Sequence, residues 1–164
     1  MGKLIKPKSL KRRMKIISSA FKDEEKIPEK FTADGVNVNP ELEINEIPSG
    51  TKSLVLIVDD PDVKRVVGYT WIHWILFDIP VSKNYLKINE NSICGVSGKS
   101  TYQKKTYGGP NPPKGTGIHH YHFKVFAVND FLKLPEMASL EDLMKEMERK
   151  ILASAEIVGK YWRE

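Results

Sequence analysis

The pattern of apolar and polar positions predicts three long β segments and, near the end of the chain, one helical segment. Residues 53–59 (SLVLIVD) form an unbroken apolar run closed by an Asp-Pro step, as expected of a strand covered on both faces. Residues 71–79 (WIHWILFDI) repeat that pattern and stop at Pro80. From His119 to Val128 the pattern alternates, with Tyr121, Phe123, Val125 and Ala127 on the face of His119, and His120 and His122 on the other. Loops rather than helical crossovers separate these runs, which predicts an antiparallel, mostly β architecture. Shorter strands are expected over residues 14–18, around Phe31 and over 42–44, in a stretch broken by Pro28, Asp34-Gly35, Pro40 and Pro48-Ser49-Gly50. Further on the period changes. Leu140, Leu143, Met144, Met147, Ile151, Ala155 and Val158 recur at helical spacing behind a Ser139–Asp142 capping box, so one helix packed on the sheet is predicted there.

Composition narrows the class. A chain of 164 residues, 40% hydrophobic with three Trp and six Phe, suits one domain with a substantial core. No apolar run reaches the roughly 18 residues that span a bilayer, and the N-terminus lacks the apolar centre of a secretory signal. One cysteine, Cys94, excludes an internal disulfide, so a cytoplasmic location is the default. The net charge of +5 is misleading. Lys3, Lys6, Lys8, Lys11, Arg12 and Arg13 stand in the first 13 residues with no acid. Without those six, the 26 basic residues fall to 20 against 21 acidic, a net of −1. Residues 1–13 are therefore read as a basic, disordered leader and 14–164 as a single near-neutral domain, with no nucleic-acid partner.

The candidate chemistry lies where special residues crowd together. Residues 107–117 (YGGPNPPKGTG) hold four glycines and three prolines, and His119, His120 and His122 follow at once. Such a loop can aim backbone amides at an anion. The fourth histidine, His73, lies in the second long strand, and Asp60-Pro61-Asp62 closes the first. Three readings compete. In the leading one, a non-enzymatic site binds an anionic or phosphorylated group. His73 and His119 supply N–H donors, amides near Gly109 add more, Tyr121 offers a hydroxyl, and Asp60 orients an imidazole or meets an ammonium. In the second, Asp60, Asp62, His73 and His119 hold zinc or iron, although no HExxH-type motif is present. In the third, a histidine acts as general base of a hydrolase, but Ser97, Ser100 and Cys94 lie in unremarkable contexts and no GxSxG occurs.

With these residues in view, the chain resembles the phosphatidylethanolamine-binding protein family, also called the Raf kinase inhibitor family, in its short bacterial and archaeal branch. The likeness rests on three boxes in order: Asp60-Pro61-Asp62, His73-Trp74, and the run from Gly109 to Tyr121 that ends Gly117-Ile118-His119-His120-Tyr121. Val63 and His120 stand where the family usually has Ala and Arg. The resemblance implies a large antiparallel sheet packed on a smaller one with peripheral helices, including a C-terminal one. It implies a pocket for phosphate-bearing head groups built from Asp60, Asp62, Trp71, His73, Gly109, His119 and Tyr121, with no cofactor. It also implies, as an alternative, inhibition of a protein kinase or a protease through the rim of that pocket. Stable membrane insertion is not implied. Analogy with the short relatives implies a homodimer.

Overall fold

The computed structural model describes residues 13–164, so the leader expected over residues 1–13 lies, apart from Arg13, outside the described residues. The described strands are β1 (Lys15–Ile17), β2 (Leu42–Asn45), β3 (Ser53–Asp60), β4 (Trp71–Pro80), β5 (Leu86–Ile88), β6 (Val96–Ser97), β7 (His119–Val128) and β8 (Ile151–Tyr161). They form a five-stranded sheet in the order β6-β4-β3-β7-β8 and a three-stranded sheet in the order β1-β2-β5, with every strand pairing antiparallel. Two short helices accompany them, α1 (Lys64–Val67) and α2 (Leu140–Met147).

β3 is buried along its whole length, as its continuous apolar run predicts. Leu54, Leu56 and Val58 face the core between the sheets, with Leu42, Ile44, Trp74, Leu76, Phe123 and Val125. Val55 and Ile57 face the other way, where Ile75 and Phe77 join them under Leu143 and Met147 of α2. Each such side chain contributes about 1.5–3 kcal/mol on burial.

The last segment departs from the sequence pattern. The predicted helix does start as expected, with the Ser139 Oγ accepting the Asp142 amide at 3.1 Å. It ends at Met147, whose carbonyl accepts the Lys150 amide at 2.8 Å, and residues 151–161 run back as β8. The pairing with β7 sets Ile157 beside Phe123 and Ala155 beside Val125. Ala, Glu and Lys favour a helix locally, but the long β7 edge offers a full ladder of partners, and tertiary pairing overrides propensity. The segment around Phe31 is a 3-10 turn, Glu29–Phe31, rather than a strand, though Phe31 is buried as expected. Among the described residues no helix is long and apolar enough to cross a membrane.

One irregularity positions the site. In the β3–β4 ladder Val58 pairs with Trp74 and Asp59 with Ile72, leaving His73 as an extra residue. Ile72 packs with the outer cluster and Trp74 with the inner core. A bulge of this kind re-aims a side chain, and here it turns His73 towards Tyr121 on β7, with ring centroids 5.2 Å apart.

Candidate functional site

The antiparallel order places the end of β3 beside the starts of β4 and β7, and Asp60 pairs directly with Trp71. A cavity of about 300 Å³ opens there. Asp60, Val63, Trp71, His73, Tyr102 and Tyr121 form its walls and floor, with Val67 and the Asn111-Pro112-Pro113 segment closing the sides. Four of the seven residues expected at the site therefore line it: Asp60, Trp71, His73 and Tyr121.

The other three lie outside it. His119 is fully buried; its Nδ1–H donates to the Asp60 Oδ2 at 2.7 Å and its Nε2 meets the Thr116 Oγ1 at 2.8 Å. The Asp60 Oδ1 also accepts the amides of Asp62 at 2.9 Å and Val63 at 3.2 Å. His119 is thus a strut joining β7, β3 and the loop before it, not a free donor. Asp62 turns to the opposite face and accepts from the His120 Nδ1 at 2.6 Å and the His120 amide at 2.7 Å. Partial burial disfavours its charge, but these bonds outweigh that and hold its carboxyl below the usual range. The Gly109 amide donates to the Asn37 Oδ1 at 2.8 Å rather than into the cavity. A Cβ on Gly109 would stand 2.2 Å from the Phe31 carbonyl oxygen, so the glycine serves close approach of two loops. Other amides of the glycine-proline loop are likewise used inside the fold: Gly108 donates to the His73 carbonyl and Gly115 to the Arg163 carbonyl. An inward ring of loop amides, expected from the sequence, is not formed by these residues.

His73 is buried at 3% exposure. Its Nδ1 lies 2.6 Å from the Gly108 carbonyl oxygen. A carbonyl only accepts, so Nδ1 carries the proton and Nε2 the lone pair. Burial drives the His73 pKa down to about 4, against the upward pull of the Gly108 carbonyl and Asp60. Tyr102 and Tyr121 meet its ring edge to face at 5.6 and 5.2 Å. Two polar atoms of cavity-lining residues are buried without a hydrogen-bond partner, the Trp71 Nε1 and the Tyr121 hydroxyl. Burial first, and then Asp60, raises the Tyr121 pKa, so Tyr121 stays a neutral donor.

Tyr102 escaped the sequence reading because it lies in a polar loop with no periodic neighbour. Its ring packs on Trp71 at 5.2 Å and its hydroxyl donates to the Gly109 carbonyl at 3.2 Å. Arg163, after β8, also escaped it. Its Nε and Nη2 donate to the two Asp34 carboxylate oxygens at 2.9 and 2.6 Å, and its Nη1 donates to the Asn111 Oδ1 at 2.5 Å. The guanidinium therefore clamps the loop that walls the cavity. The Arg163 and Tyr161 hydrogen bonds hold the Asp34 carboxyl below the usual range.

Among the described residues no group of three or more His, Cys, Asp or Glu is placed to hold a metal ion. A larger hollow of about 440 Å³ is lined by Asn37, Asn39, Ser92 and Tyr107, among others, and contains no histidine or acid.

The chain matches the family model described as phosphatidylethanolamine-binding protein over residues 17–162. It is 41% identical over 158 residues to a UPF0098 protein of Aquifex aeolicus, covering 92% of this chain and 90% of that one. To a UPF0098 protein of Pyrococcus abyssi it is 42% identical over 153 residues, covering 90% and 84%. Among solved structures, a Chlamydia trachomatis homologue of phosphatidylethanolamine-binding protein superposes with a TM-score of 0.83 at 33% identity, over 93% of this chain and 99% of that one. Escherichia coli YbcL superposes with a TM-score of 0.82 at 28% identity, over 93% and 100%. Given the two packed antiparallel sheets and the three sequence boxes around one cavity, the chain belongs to the phosphatidylethanolamine-binding protein family.

Proposed function

We propose that the chain binds, without chemically converting it, a small ligand with a phosphate-like oxyanion head in the cavity at the end of β3. The observation that carries this reading is that two cavity-lining residues hold buried, unpartnered donors, the Trp71 Nε1–H and the Tyr121 O–H. An unsatisfied buried polar group costs about 1–3 kcal/mol, and a ligand oxygen would relieve both. The aromatic walls lower the local dielectric and so strengthen those bonds. The name of the family model and of the Chlamydia homologue supports a phosphate-bearing ligand. Among the described residues no serine or cysteine lines the cavity, and burial pushes the Cys94 thiol up to about 11, well out of the nucleophilic range. Titration with ethyl phosphate, followed by Trp fluorescence, is expected to saturate. His73→Ala should weaken that binding about tenfold or more. Equal affinity in the variant would refute the assignment.

A second reading, inhibition of a protein kinase or a protease through the cavity rim, is favoured by the exposed apolar side chains there. Val67 lines the mouth at 39% exposure and Tyr69, 51% exposed, stacks on Trp71 at 5.9 Å. Tyr69→Ala separates the two: it should leave ethyl phosphate affinity within about twofold, since a rim contact adds little to a ligand seated inside, and abolish inhibition of a partner enzyme.

A further inference from the structure

The cavity contains a feature at odds with a simple anion hole: among the described residues no lysine or arginine lines it. Arg163, which clamps the loop walling the cavity, is committed to Asp34 and Asn111, and Arg65 donates to the Thr116 carbonyl. Of the charged groups facing His73, His119 opposes protonation of the ring and Asp60 favours it. From β3 comes Asp60, whose Oδ1 accepts two amides and whose Oδ2 accepts from His119; from β7 come His119 and Tyr121; from the connection between β6 and β7 comes Tyr102. The Nδ1–H of His73 is committed to the Gly108 carbonyl, so only Nε2 is left for a ligand, and in the neutral ring Nε2 is an acceptor. The polar atoms left for a ligand are therefore three donors, the Trp71 Nε1–H, the Tyr121 O–H and the Asn111 Nδ2–H, and two acceptors, the His73 Nε2 and the remaining lone pair of the Asp60 Oδ2.

That set matches an oxyanion bearing one hydroxyl. We infer that the cavity selects the singly protonated form of a phosphate monoester, whose P–OH donates to the His73 Nε2 while its other oxygens accept from Trp71 and Tyr121. This rests on the anion reading above and names the form of ligand that reading leaves open. Two magnitudes support placing the proton on the ligand. With a His73 pKa near 4, charging the ring at pH 7 carries a penalty of roughly a thousandfold. A phosphate monoester has its second pKa near 6, so binding only its monoanion at pH 7 carries a penalty of roughly tenfold. A site with a buried acceptor also rejects a ligand that has no hydrogen for it, because the acceptor is left unpaired.

The test compares ethyl phosphate with ethyl sulfate, a near-isostere that is a permanent monoanion with no proton to give. Calorimetric titrations of the full chain run from pH 5 to 8, in two phosphate-free buffers of different ionisation enthalpy at each pH. Ethyl phosphate is expected to bind with constant affinity below pH 6, to lose about tenfold per pH unit above it, and to take up close to one proton per ligand at pH 7.5. Ethyl sulfate is expected to bind at least about tenfold more weakly at pH 6. If ethyl sulfate binds as tightly as ethyl phosphate, or gains affinity steadily down to pH 5, the imidazolium is the donor and this inference falls while the anion reading stands. If neither ligand binds at any pH, both fall.

Discussion

The three central strands of the large sheet have two different ends. At one end Leu54 and Leu56 of β3, Leu76 and Ile79 of β4, and Val125 and Ala127 of β7 interlock in a dry apolar layer. At the other, the same strands present Asp60, Trp71, His73, His119 and Tyr121. Burial is nearly as complete at both ends: Leu56 and His119 are each fully buried. What differs is what burial demands. An apolar layer needs only matched shapes, whereas each polar group needs a partner. At the polar end Asp60 and His119 meet that demand fully, and Trp71 and Tyr121 do not. The difference marks a structural pair and a candidate binding surface within one wall.

The largest effect is expected from breaking the structural pair. His119→Ala leaves the Asp60 carboxylate buried without its imidazole and should cost about 3–5 kcal/mol in urea denaturation. Leu56→Ala, in the dry end, should cost about 2–5 kcal/mol by opening a void, with ethyl phosphate affinity unchanged. If the two substitutions weaken binding equally, the two ends are not separable.

Acid should then act on one end only. The folded-state pKa of His73 lies near 4, below the ordinary value of about 6.5 for a free histidine. Between those values the unfolded chain binds a proton that the folded chain refuses, so stability falls as pH drops from about 6.5 towards 4. The shift corresponds to about 3 kcal/mol. Chemical denaturation across this range, compared in the parent and in His73→Gln, should show that slope flatten in the variant. A smaller effect is expected at the clamp. Arg163→Ala exposes a partly solvated ion pair and should cost about 1 kcal/mol or less, while raising the ligand off-rate by loosening the Asn111-Pro112-Pro113 wall. An unchanged off-rate in stopped-flow fluorescence would show that the loop stands without it.

The dry end was legible in the sequence because its signal is local. The unbroken run of β3 and the alternation of β7 each state their own burial, and both strands begin and end close to where the pattern places them. β8 was not legible, because helix-forming residues continue the period of α2 and only a strand 30 residues earlier decides otherwise. Nor was the rank of the site residues. Asp60, His73, His119 and Tyr121 could be gathered from their order along the chain. That His119 braces while His73 lines the cavity depends on one extra residue in a ladder and on a threonine in the loop. The direction of the Gly109 amide depends on Asn37, 72 residues away. Such long-range partners leave no mark on the sequence around the residue they redirect.

The central claim is that the Tyr121 hydroxyl is left unpaired by the fold and kept for a guest. Tyr121→Phe removes that oxygen and nothing else, so the free protein and its complex can be measured against the parent by urea denaturation and ethyl phosphate titration. The variant is expected to be more stable by about 1 kcal/mol and to bind at least about fivefold more weakly. A variant that is less stable yet binds as tightly would show that the hydroxyl belongs to the fold, and would contradict the account.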